Sequence, residues 1–208
     1  MPTITKLERQ KHSKNRVSVF VDEEYSFSVF DELAIEFDIS VGRNASELNM
    51  EKILSFDEYK QALSKAFVHI SRSEKSEKQL REFLLGKQFA PCTVEKVILR
   101  LKELDYIDDL FLAQNFLEHS KNLGKYAIKS KLKQKGISEN IMNQVLADFN
   151  EEDSYASALE QAIKQKKKYE KYELLQQKKK VSDFLARRGF DWDTVSRVIE
   201  KVFSEDAM

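Results

Sequence analysis

Three histidines, a single cysteine and the pair Asp108-Asp109 are the residues through which this chain would hold a metal or carry out nucleophilic or acid–base chemistry. His12, His69 and His119 stand too far apart for a His-x-x-x-His or His-Glu-x-x-His ligand pair. Gly-x-Ser-x-Gly, the phosphate-binding P-loop and Gly-x-Gly-x-x-Gly are all missing from the sequence. Cys92, alone, forms neither an internal disulfide nor a thiolate cluster, and a lone cysteine is expected to be a small buried or neutral residue. Adjacent carboxylates at a helix start cap backbone N–H groups and face the positive helix end, so Asp108-Asp109 is expected to cap rather than to bind a cation. The residues therefore predict no catalytic, cofactor or metal site, and a protein that is not an enzyme.

What remains is the distribution of charge. The chain carries 35 Lys plus Arg against 35 Asp plus Glu, and this neutrality conceals local excess. Lys121 to Lys135 holds six lysines and no acid, while Lys164 to Lys180 holds eight lysines and two glutamates. At helical spacing Lys125, Lys129 and Lys133 share one stripe and Lys131 and Lys135 another, both beside Leu132. Arg72, Lys75, Lys78 and Arg81 form a similar group upstream, and Lys178, Lys179, Arg187 and Arg188 one downstream. Lysine-rich faces often do no more than keep a helical protein in solution. Their recurrence at equivalent places points instead to a surface for a polyanion or an acidic protein groove, with affinity that falls as salt rises. The aromatic residues fall at core spacing, so no stacking row for bases is expected.

These charges need a scaffold. With 41% apolar residues, including 14 Phe and 7 Tyr, the chain can bury enough surface to fold. Only 5 Gly and 2 Pro disfavour turn-rich sandwiches and glycine-dependent nucleotide folds and predict long helices. A mean hydropathy of -0.54 and the lack of a long apolar run speak against a membrane span, and Met1 to Gln10 has no secretory pattern, so a cytoplasmic protein is expected.

The first segment alternates with period two: Val17, Val19 and Val21, then Tyr25, Phe27 and Val29. This predicts a hairpin turning at Asp22-Glu23-Glu24, which lacks an Asn-Gly or Asp-Gly signal, joined by a strand near Thr3 to Gln10. A short helix over Asp31 to Asp38 follows, ended by Val41-Gly42-Arg43-Asn44.

Beyond Ser55 the sequence repeats itself. Leu84 to Phe89, Leu132 to Ile137 and Leu185 to Phe190 align as turns between helices, with Gly136 and Gly189 at the position expected to take a left-handed backbone before a large apolar residue. Gln88 stands there in the first copy, where it is either strained by ~1 kcal/mol or part of a different turn beside Pro91. Val97, Val145 and Val198 recur after the turns. Asp57, Asp108 and Asp153 each precede Ala62, Ala113 and Ala158 by five residues and are expected to cap the first helices. The predicted fold is mainly α: an N-terminal β-hairpin and short-helix module over 1–55, then three-helix repeats over 56–105, 106–150 and 151–208, stacked in an elongated curved array and monomeric.

This pattern resembles the bacterial RecX family of regulatory proteins over essentially the whole chain. The resemblance is carried by the triplicated three-helix pattern with Arg72-Ser73-Glu74-Lys75-Ser76-Glu77-Lys78-Gln79-Leu80-Arg81, by Tyr106-Ile107-Asp108-Asp109 with Phe111 and Ala113, and by Arg188-Gly189-Phe190. The N-terminal module is similar to the extension of the Gram-positive branch. The chain departs at Gln88, where the family usually has Gly, and in the Lys-rich stretch of the third repeat. The resemblance implies a regulator that binds the RecA recombinase filament on single-stranded DNA and modulates, chiefly inhibits, its activities in DNA repair and recombination. Two other classes fit the residues alone: a helical-repeat protein binding DNA without sequence preference, and a protein interaction scaffold.

Overall fold

In a computed structural model the chain is mostly helical, with one small antiparallel sheet at its N-terminal end. The structure describes residues 1–11 and 13–204; His12 lies outside them. The chain forms two compact units, one of residues 1–73 with 80–106, the other of 74–79 with residues from 107 onward.

In the first unit β1 (Ile4–Gln10), β2 (Ser13–Val21) and β3 (Glu24–Phe30) form a meander in that order. The period-two residues set its register: Val17 pairs with Val29 and Val19 with Phe27, and all four are buried. Behind them lie Leu33 and Ala34 of α1 (Asp31–Glu36) and Ile53 of α2 (Met50–Ile70). The β2–β3 connection is a two-residue turn with positive φ at both Asp22 (50°) and Glu23 (71°), the twist such a hairpin demands even without glycine.

α2 begins at Met50, with Asn49 accepting from Lys52 N at 3.0 Å. The expected cap Asp57 lies instead inside this helix, 4% exposed. Its carboxylate takes Arg16 Nη1 at 3.0 Å and Nη2 at 2.9 Å, Phe30 N at 3.0 Å and Gln61 Nε2 at 2.8 Å. An ion pair whose carboxylate is hydrogen-bonded on both oxygens thus fastens the sheet to α2. The division at 55/56 consequently falls within one helix. α3 (Glu77–Gly86), whose first turn groups with the second unit, and α4 (Pro91–Glu103) follow. Glu58 of α2 caps α4 by accepting from Ala90 N at 2.8 Å and Thr93 Oγ1 at 2.7 Å. Cys92, expected to be small and buried or neutral, is exposed in the first turn of α4.

The second unit holds α5 (Asp109–His119), α6 (Lys125–Lys135) and α7 (Glu139–Ala147), then α8 (Glu151–Lys168), α9 (Leu174–Arg187) and α10 (Trp192–Phe203). Leu112, Ala113, Ile128, Leu132, Ile137, Met142 and Val145 make one core; Ala158, Ala162, Val181, Leu185, Phe190, Val198 and Phe203 make another. Of the expected caps here, Asp108 accepts from Leu110 N at 2.8 Å and Phe111 N at 3.0 Å. Asp153 does not cap: Asn150 does, and receives Asp153 N at 3.2 Å. Asparagine fits that place as well as aspartate, and five-residue spacing to an alanine does not distinguish a cap from a first-turn acid. The alanines themselves, Ala62, Ala113 and Ala158, are fully buried.

The three aligned turns share one geometry. Phe89 N reaches Leu84 O at 3.4 Å, Ile137 N reaches Leu132 O at 3.1 Å and Phe190 N reaches Leu185 O at 3.3 Å. The residue before each has positive φ, 65° at Gln88 and 83° at both Gly136 and Gly189. Gln88 therefore adopts the same left-handed helix end, strained, rather than a different turn.

Candidate polyanion interface

The basic residues expected to make contact divide by what surrounds them. On α6, Lys125, Lys129, Lys131 and Lys133 are exposed; Lys135 is half-buried, its Nζ 5.9 Å from the centre of the Phe116 ring. Their separation follows from helical periodicity, since Ile128 and Leu132 occupy the buried face. On α9, Lys179 and Arg187 are exposed, whereas Lys178 lies 5.8 Å over Phe203 and Arg188 5.3 Å over Phe184. Part of the charge of the third repeat therefore packs on its own aromatic rings.

The upstream group is not one patch. Arg81 is ion-paired with Glu95. Lys78 lays its stem against Gly136, where any Cβ would collide with it. Lys75 is half-buried, and Arg72 is exposed beside Lys65, His69 and Lys87 in a cavity lined also by Ser64, Val68 and Phe83 and by no carboxylate. His69 stacks on Phe83 with ring centres 3.8 Å apart.

Backbone contacts decide how the α6 and α9 charges meet. α6 has no side-chain cap; Gly124 N donates to Arg188 O at 2.9 Å and Tyr126 N to Gly189 O at 3.1 Å. The unpaired N–H groups of one helix start are thus satisfied by the carbonyls ending another, and opposite ends of two helix dipoles meet. A Cβ at Gly124 would overlap the backbone of Gly189 and Phe190, and one at Gly189 would overlap Ala127, so the seating needs both glycines. At the other end of α6, Ser76 Oγ donates to Lys135 O. The end of α9, which carries Arg187 and Arg188, is thereby brought to the start of α6, which carries Lys125 and Lys129. The edge of this junction is mixed: Lys125 and Lys129 line a groove with Tyr126, Asn143, Glu151 and Asp191. Burial pushes the Asp191 carboxyl up, but hydrogen bonds from Thr194 N at 2.8 Å and Thr194 Oγ1 at 3.0 Å outweigh it and hold the group below the usual carboxylate range.

The residues considered for metal or acid–base chemistry are occupied otherwise. Asp108 caps α5, Asp109 Oδ1 accepts from Glu77 N at 2.9 Å, and His119 Nδ1 lies 2.8 Å from Asn115 O. Among the described residues no three His, Cys, Asp or Glu side chains converge as a metal site would require, and no helix is long and apolar enough to cross a membrane.

Sequence reasoning missed two residues here. The aromatics were expected in the core, yet Trp192 is 80% and Tyr126 67% exposed. Tyr126 follows Lys125 directly and stands two places from the buried Ile128, a spacing that does not suit the α6 core stripe and would have revealed it.

Comparison with known proteins agrees with this architecture. The model of the RecX regulatory protein N-terminal domain matches residues 2–46, and that of the third three-helix domain of RecX matches residues 151–199. The chain is 33% identical to the regulatory protein RecX of Clostridioides difficile over 99% of its own length and 98% of that protein. It is 34% identical to that of Clostridium acetobutylicum over 98% of each. A crystal structure of a regulatory protein RecX superposes with a TM-score of 0.71 at 24% identity, covering 95% of this chain and 98% of that one. A second, from Lactobacillus salivarius, gives 0.64 at 21% identity over 70% of this chain and 97% of its own, and both show the common fold.

Proposed function

Since the chain belongs to the RecX family of regulatory proteins, we propose that it binds the RecA filament on single-stranded DNA and lowers its ATPase, recombinase and coprotease activities without chemistry of its own. In this reading it works in the cytoplasm as a monomer, in DNA repair and recombination. The observation that supports it is the seating of α6 on α9, which sets the start of α6, with exposed Lys125 and Lys129, against the end of α9, with Arg187 and Arg188. A helical surface with such cations suits a groove lined by acidic side chains and phosphates, and a protein that touches neighbouring protomers couples to filament growth by binding alone.

The test is the single-stranded-DNA-dependent ATPase rate of the cognate recombinase, titrated with this protein far below one molecule per protomer. A fall at substoichiometric ratios, with weak binding to bare DNA in the control, is expected. An unchanged rate at every ratio rejects the reading, and the bare-DNA control then separates a general DNA-binding protein from a scaffold.

A further inference from the structure

We propose that Trp192 and Tyr126 form a stacking platform for the bases of a single-stranded nucleic acid, with Lys125, Lys129 and Arg187 beside them to take its phosphates. The proposal deepens the preceding reading of the same basic junction and rests on it for its setting.

Both rings stand in water although their backbones are fixed. Trp192 opens α10, an amphipathic helix that buries Val195, Val198 and Phe203, and lies off that face. It is held between Phe190, which is 5% exposed in the preceding turn, and the Asp191 cap on Thr194. Tyr126 is anchored through its own N–H to Gly189 O, three residues before Trp192. Tyr126 and Asp191 line one groove, which places the start of α10 beside the start of α6. The exposed ring offers a π-face to a base and is carried on backbone already ordered in α10.

The surrounding charge selects the occupant. Lys125 adjoins Tyr126, Lys129 follows one turn later, and Arg187 and Arg188 end the helix on which Tyr126 is seated. Of the nearby acids, Asp191 turns both oxygens to Thr194, Asp193 lies 3.5 Å from Arg197, and Glu151 lines the groove with Lys125 and Lys129. Fixed aromatic faces interleaved with lysine and arginine are the requirement for single-stranded nucleic acid, every base of which presents a face.

Trp192 is the only tryptophan of the chain, so its emission reports the site directly. The full-length protein, with no recombinase present, is titrated at low salt with a thymidine oligonucleotide and with an abasic oligonucleotide of equal length. Quenching by the thymidine strand and not by the abasic strand is expected. With a labelled thymidine oligonucleotide, Trp192→Ala and Tyr126→Ala should each weaken binding about 5- to 150-fold. Ile35→Ala, which trims another exposed apolar side chain, should leave it unchanged. Equal quenching by both strands, or none by the thymidine strand, overturns the platform. Quenching by the recombinase alone, without DNA, also overturns it and assigns the rings to a protein contact. Because the oligonucleotide titrations omit the recombinase, the platform and the effect on filament ATPase fail independently.

Discussion

Gly124 N donates to Arg188 O at 2.9 Å, so the start of one basic helix is seated on the end of another. The contact supplies each helix terminus with partners that neither sequence segment carries for itself. It also sets the basic start of α6 against the basic end of α9 through backbone rather than through flexible side chains.

Gly124→Ala should break this seating, because the new Cβ meets the backbone of Gly189 and Phe190, which cannot swing aside. A loss of roughly 1 to 3 kcal/mol is expected, read from the midpoint of denaturant unfolding. An unchanged midpoint would show that the helix ends are not tightly seated.

Gln88→Gly should stabilise the protein by roughly 1 kcal/mol, since Gln88 holds a φ of 65° that glycine adopts freely. Thermal unfolding measures it, and a lower Tm for the glycine variant would contradict the strained-turn assignment.

Asp57→Ala leaves the half-buried Arg16 without its carboxylate and strips Phe30 N of its acceptor. About 3 to 5 kcal/mol of stability should be lost. The double variant Arg16→Met with Asp57→Leu should recover much of it, a result that double-variant unfolding curves test directly.

Reversing Lys129, Lys131 and Lys133 to Glu should leave helicity intact, because all three side chains are exposed, while weakening filament binding. The salt dependence of binding should become shallower in the same variant. Wild-type affinity in the charge-reversed protein would exclude α6 from the contact.

The depressed Asp191 pKa fixes the sign of a pH effect. The unfolded carboxyl, near 3.8, binds its proton at higher pH than the folded one, so the cap contributes fully above that value and is lost as pH falls through the folded pKa. Asp191→Asn keeps an acceptor for Thr194 but cannot titrate. Its stability should therefore decline less than the wild type's between pH 4 and lower values, as unfolding curves across that range would show.

The repeat and its turns were legible because they depend on local chemistry. A glycine ahead of a large apolar residue dictates a left-handed helix end wherever it occurs, and Gly136 and Gly189 obey. Period-two valines likewise placed the sheet and its buried face. Asp57 was misread because a helix interior and a cap present the same aspartate-to-alanine spacing; its burial is made favourable by distant partners, Arg16 41 residues earlier and Phe30 N 27 residues earlier. The exposure of Trp192 was hidden for a related reason: an aromatic at a helix start fits a core or a surface until the packing of the neighbouring turn is known.

By itself the sequence determined the family, the mainly helical class and the positions of the lysine runs, since these follow from periodicity, propensity and composition along the chain. Only the tertiary structure decided which cations are spent on Phe203 and Glu95, and which stand where the end of α9 meets the start of α6. That division depends on contacts between residues tens of positions apart, and no local pattern encodes them.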